Sequence, residues 1–238
     1  PWTVRVGSVV LTGNRAEYGL LNHRPAAGFD PSFIVLSTLD LAVDSIYNRG
    51  ADIALQIRRM AFTERSGLTV SDMTGDIGMD ASGISLAGVT LKTPFSRIEA
   101  NISAGEGILA LAPDSPLKAA LTADVNTKDL KYLYPALIPP VLDGRIVSLA
   151  LTAAGTLGDI GKAGLDISSP GHVAFTADGA ARNVLDPGRM EASARFEGDF
   201  RDMAFLEALL PDSALRRRIA IPDRIRLCLL YTSPSPRD

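Results

Sequence analysis

The chain has 238 residues, of which 46% are apolar and 21% charged, and its formal net charge is −3. That supplies enough apolar surface for one sizeable core or for an elongated array of repeats, and composition alone does not choose between the two. Basic residues are scattered except at Arg216, Arg217 and Arg218, so the sustained positive stripe of a nucleic-acid interface is missing and nucleic acid is not an expected partner.

In chain order, Trp2-Thr3-Val4-Arg5-Val6 reads as a strand with no start signal before it, so the sequence is expected to be a piece of a larger protein. No apolar run reaches the roughly 18 residues that a membrane-spanning helix needs, and no signal peptide is recognisable. Pro25, Gly28 and Pro31 mark a long loop or an early boundary near residues 22 to 32. Residues 1–32 are therefore set apart as a first strand region and loop.

From Phe33 onward the apolar pattern has period two, the mark of strands with one buried and one wetted face. Phe33, Val35, Leu39, Leu41 and Val43 are expected on one side, with Thr38, Asp40 and Asp44 on the other. The alternation recurs in Leu117, Leu121 and Val125 against Lys118, Thr122 and Asp124, and in Met190, Ala192, Ala194 and Phe196 against Glu191, Ser193, Arg195 and Glu197. Turn signals at Asn48-Arg49-Gly50, Arg65-Ser66-Gly67, Ala81-Ser82-Gly83 and Asp186-Pro187-Gly188 punctuate these runs. Their spacing of about 10 to 16 residues fits consecutive antiparallel strands. Two runs change phase: Ile53, Leu55 and Ile57 give way to Met60 and Phe62, and Ile84 and Leu86 give way to Val89 and Leu91. Such slips predict β-bulges, which bend and twist a sheet.

Two short segments break the strand pattern and read as helices. Thr127-Lys128-Asp129-Leu130-Lys131-Tyr132-Leu133 begins with a cap-type residue and stops near Pro135, and residues 202–210 stop at Pro211. Asp129, Leu130, Leu133, Leu137 and Pro139 align with Asp202, Met203, Leu206, Leu209 and Pro211, which suggests an internal repeat of roughly 73 residues. Residues 33–226 are thus expected to form one β-rich segment. The last stretch, 227–238, resembles a translated sequencing adapter and is set aside as a tail outside the fold. It carries the one cysteine, Cys228, so no disulfide can form within the chain.

Catalytic and metal-binding patterns are sparse. His23 lies in a Pro-rich loop and His172 follows Pro170-Gly171, neither with a metal-ligand partner at the right spacing. The segment 155–163 has glycines like a phosphate loop, but Thr156 replaces the first of them and Ala163 the magnesium-binding hydroxyl. Asp72, Asp76 and Asp80 would share a strand face with Thr74, which admits a calcium site. Met73, Ile77 and Met79 on the opposite face favour the plainer reading of a wetted strand surface. No cofactor, no metal and no enzyme activity are expected.

One region carries a resemblance. Phe62-Thr63-Glu64-Arg65-Ser66-Gly67-Leu68-Thr69-Val70, followed by Ile84-Ser85-Leu86-Ala87-Gly88-Val89-Thr90-Leu91-Lys92-Thr93-Pro94-Phe95-Ser96-Arg97-Ile98, resembles the pattern Glu-Arg-Ser-Gly-apolar, glycine-marked strand, Leu-x-x-Leu-x-Leu-x-Thr-Pro-x-Ser-x-Ile of AsmA-like proteins. Val89 stands where that pattern has its middle leucine. The run from Leu41 to Gly50 is similar to the strand and turn before it in TamB-like proteins of the Bacteroidetes type. The likeness is best over residues 33 to 105 and fainter onward to 226.

The resemblance implies a periplasmic protein held in the inner membrane by a helix outside this sequence. It implies an elongated, curved antiparallel sheet, groove-like or taco-shaped and built from repeats, that moves phospholipid toward the outer membrane or assists outer-membrane protein assembly. Phospholipid acyl chains are then the expected ligand, with an outer-membrane barrel assembly protein as a partner through regions not recognisable here. Leu39, Leu41, Val43, Ile53, Leu55, Leu117, Leu121 and Val125 are the candidates to line the groove. The competing reading of the same strands is a structural β-solenoid or adhesin-type surface protein without lipid cargo.

Overall fold

In a computed structural model, residues 2–26, 28–105, 112–134, 143–201 and 222–232 are described. The strands are β1 (Thr3–Gly19), β2 (Phe33–Arg49), β3 (Asp52–Glu64), β4 (Thr69–Asp80), β5 (Gly83–Lys92), β6 (Arg97–Gly105), β7 (Pro116–Asn126), β8 (Ile146–Thr156), β9 (Ile160–Ser169), β10 (Val173–Arg182), β11 (Glu191–Arg201) and β12 (Arg224–Thr232), with α1 (Thr127–Leu133) between β7 and β8. All twelve strands form one sheet in sequence order, each antiparallel to the next. The sheet is open, with β1 and β12 at its two edges. The long loop at residues 20–32 joins β1 to β2 within this sheet rather than separating two layers.

The turn signals fall between strands as their chemistry requires. Gly50 and Gly67 adopt positive φ of 61° and 99°, a region open to glycine at no steric penalty. Both phase slips are bulges. The pairing of β3 with β4 shifts between Ile57 and Met60, and that of β5 with β6 shifts between Leu86 and Val89. An extra residue in each restores Met60, Phe62, Val89 and Leu91 to the face that Ile53, Leu55, Ile84 and Leu86 occupy.

A third bulge corrects the expectation for β2. Its pairing with β3 jumps from Ser37↔Thr63 to Asp40↔Ala61, and Thr38 has a φ of 52°. Phe33 and Val35 therefore lie on the face opposite Leu39, Leu41 and Val43. They remain covered because the 20–32 loop folds over that corner. Arg65 donates to the carbonyl oxygens of Ala26 and Gly28 at 2.8 and 2.9 Å and lies 5.6 Å above the Phe33 ring. Simple alternation could not reveal the extra residue, because Ser37 and Thr38 are both compatible with a regular polar edge.

α1 forms at the expected residues, although its N-cap is Asn126, whose side chain accepts from the Lys128 amide. The second expected helix lies outside the described residues, and so do seven of the ten aligned repeat positions, Leu137 and Pro139 of the first unit and all five of the second. The boundary expected at 227 falls inside β12, where Leu227 to Thr232 pair with Gly198 to Ser193 of β11. Leu229, Leu230 and Tyr231 in that stretch are largely exposed.

Candidate functional site

Strand pairing carries each face across the sheet, since directly opposed residues point the same way. Val43 pairs with Ile57, Ile57 with Gly75, Ile77 with Leu86, Leu86 with Ile102, and Ile102 with Ala119. This places Leu39, Leu41, Val43, Ile53, Leu55, Leu117, Leu121 and Val125 on a single face. The same face continues through Leu149, Leu165, Phe175, Phe196 and Leu227. Phe175 also contacts Phe196 and Phe200, with ring centroids 6.2 and 6.3 Å apart.

Burial along this face is uneven. Leu39, Val43, Ile57, Val70, Ala100 and Ala123 are buried, most of the others are half-buried, and Leu151 is 38% exposed. Among the described residues no second layer of strands packs against it: strands contact their neighbours in the sheet, and α1 touches β7. In ordinary domains such a face is covered by another layer.

From β3 to β12 the pairing puts one charged side chain, Glu64, on the apolar face. Glu64 is buried, and one carboxylate oxygen accepts from the Ser66 amide at 2.6 Å. Burial alone would raise its pKa, but the hydrogen bonds from Ser66, with those from the Val35 and Arg65 backbone, outweigh it and hold the pKa below the usual value. The carboxylate thus closes the turn that carries Arg65, Ser66 and Gly67. Its neighbour Arg65 ties that turn to the 20–32 loop.

The Thr93-Pro94-Phe95-Ser96 turn has a specific job. Thr93 Oγ1 accepts from the Ser96 amide at 2.8 Å and donates to Asp129 Oδ2 at 2.6 Å. Ser96 Oγ also donates to Asp129 Oδ2, at 2.5 Å, and accepts from the Asn126 amide at 2.9 Å. Asp129, Ser96 and Asn126 are all buried. The two hydroxyls therefore join the β5–β6 turn to α1. The sequence does not link the two segments, because nothing in the spacing of residues 93 and 129 indicates contact.

The opposite face is polar and held by exposed ion pairs. Arg58 bonds Asp44 at 2.9 Å, Lys92 lies 3.7 Å from Asp72, and Arg201 and Arg224 both bond Asp199. These guanidinium groups hold the Asp199 pKa far below the carboxylate range. Asp72, Thr74, Asp76 and Asp80 do share this face, opposite Met73, Ile77 and Met79. Asp80 is spent on its own turn, accepting from the Ser82 amide and hydroxyl at 2.7 and 2.5 Å. Among the described residues no three His, Cys, Asp or Glu side chains group to hold a metal ion.

The glycine-rich segment near 155–163 is a β8–β9 turn. The amides of Thr156, Leu157 and Gly158 donate to the carbonyls of Asp159, Ser115 and Pro113, and the Asp159 amide donates to Thr156 Oγ1. No ring of free amides faces outward to cradle a phosphate. His23 sits in its loop bonded to Asp30 at 2.7 Å. The Asp30 carboxylate also accepts from the Ala26 and Ser32 amides, and these bonds lower its pKa to about 2. No protein-family model, curated protein or solved structure matches the chain.

Proposed function

We propose that this chain is a non-catalytic segment of an AsmA-like, TamB-like envelope protein, and that its apolar face forms a curved groove carrying phospholipid acyl chains between membranes. The observation that supports this most is the continuous one-sided apolar face of an open sheet, with no described second layer over it. Twelve strands at about 4.8 Å spacing extend that face over roughly 50 Å. The bulges in β2, β3 and β5 supply bend and twist, and the burial of Leu39, Val43 and Ile57 within a single layer fits side chains crowding on a concave side.

The energetics are compatible without any reactive group. Exposing an acyl chain of about 16 carbons to water costs on the order of 10 kcal/mol at roughly 0.8 kcal/mol per methylene. A continuous apolar path lowers that penalty at each step. Periplasmic location, an inner-membrane anchor and an outer-membrane assembly partner follow from the resemblance and belong to the same proposal.

A structural β-solenoid or adhesin is the second reading. A sheet that advances by antiparallel hairpins, with its apolar side unpaired, does not bury that side as stacked coils do. The experiment is lipid extraction and mass spectrometry of protein purified without detergent. Stoichiometric phospholipid is the expected result; lipid-free, monodisperse protein would remove the proposal and favour the second reading.

A further inference from the structure

α1 has seven residues, Thr127–Leu133, and a helix this short is not stable by itself in water. Its existence depends on what it touches. Asp129, 5% exposed, accepts from Thr93 and Ser96 of the β5–β6 turn. Tyr132 lies against Gly67 of the β3–β4 turn, where an added Cβ would stand 3.0 Å from the ring. Lys128 sits 5.0 Å above the Phe95 ring. Thr127 and Arg145 exchange two bonds at the base of the excursion, at 2.9 and 3.1 Å.

These contacts draw α1 from β7 toward the turns at the ends of β5 and β3. Val70, three residues beyond Gly67 and on the apolar face, is 2% exposed, the lowest exposure of the buried apolar side chains. Neighbours within the sheet leave Leu39, Val43 and Ile57 at 6 to 8% exposure, and the deeper burial of Val70 fits added cover from outside the sheet. The described helix that reaches this corner is α1.

We infer that α1 is a latched flap over one rim of the apolar face, and that Asp129 is the latch. Loss of the two hydroxyl bonds leaves a seven-residue helix without its main tie, so α1 opens as a local unit while the ladder of strands persists. Opening would uncover the apolar face beside Val70. What passes through that opening rests on the lipid reading above; the latch itself does not.

The test replaces exposed Cys228 by serine and introduces Val70→Cys or Ile57→Cys as reporters. Ile57 is buried on the same face in β3, away from α1. Adding Asp129→Ala is expected to raise maleimide labelling of the Val70→Cys reporter by about tenfold or more, with the Ile57→Cys rate unchanged. The milder Ser96→Ala serves if Asp129→Ala does not fold, and a smaller selective rise is expected. Unchanged Val70→Cys labelling, or an equal rise at both reporters, would overturn the latch. Lipid measured in the same samples separates the two proposals: selective opening in lipid-free protein keeps the flap and removes the transport role.

Discussion

Replacing Leu39 with alanine separates an open apolar face from a sealed core. Leu39 is 6% exposed, and the change removes three carbon atoms worth about 0.8 kcal/mol each on transfer from water, so its loss should cost about 2 kcal/mol. In a closed core, the void left behind adds roughly 24 cal/mol per Å3 and brings such changes to about 3 to 5 kcal/mol. An open single layer has no facing wall to bound a void, and that extra cost should be missing. Leu151 on the same face is 38% exposed, so Leu151→Ala should cost less, about 1.5 kcal/mol. Urea unfolding followed by far-ultraviolet circular dichroism, with the slope unchanged, measures both. A loss above about 4 kcal/mol at Leu39, or equal losses at the two sites, would refute the open-face reasoning.

Other outcomes follow from named contacts. Glu64→Gln should destabilise the protein by about 1 kcal/mol, because the Ser66 amide then donates to a neutral amide oxygen in place of a carboxylate, as read by the urea midpoint. The folded-state pKa of Asp30 is depressed to about 2. Its contribution is therefore full above the unfolded pKa and fades as the pH falls through about 2; the protection of the Ala26 and Ser32 amides, taken as the exchange rate relative to the intrinsic rate at each pH, should fall over that window and stay constant above about pH 5. A loss of protection that sets in near neutrality would contradict this. Gly83→Ala should lower the melting temperature by several degrees, since Gly83 has a φ of 139° and its added methyl meets the Ala104 carbonyl oxygen; an unchanged melting temperature would show that β5 and β6 can separate there.

Much of the strand pattern was legible because alternation reports directly on a two-faced sheet. Lys118, Thr122 and Asp124 against Leu117, Leu121 and Val125 needed no further information, and the phase slips at Ile57–Met60 and Leu86–Val89 located two bulges. The bulge at Ser37–Thr38 was hidden, because the apolar Phe33 and Val35 keep odd numbering while changing face. Loop cover over that corner, a tertiary effect, is what lets them stay apolar. α1 was readable from its cap and the following proline, whereas its ties to Thr93, Ser96 and Gly67 depend on how the hairpins stack. Glu64 appeared only as part of a motif; its position as the one charge that the strands β3 to β12 place on the apolar face requires the pairing register. Sequence also left open whether the strands close into two layers, and nothing in local patterning distinguishes a sheet that meets a partner layer from one that does not.

On the proposed function, lipid lies against one side of the sheet. Benzoylphenylalanine placed at adjacent positions Leu121 and Thr122 of β7, which face opposite ways, tests it directly in the living cell. Irradiation followed by lipid analysis of the purified protein should give phospholipid adducts at position 121 and none at 122. Equal adducts at both positions, or none at 121, would contradict the account.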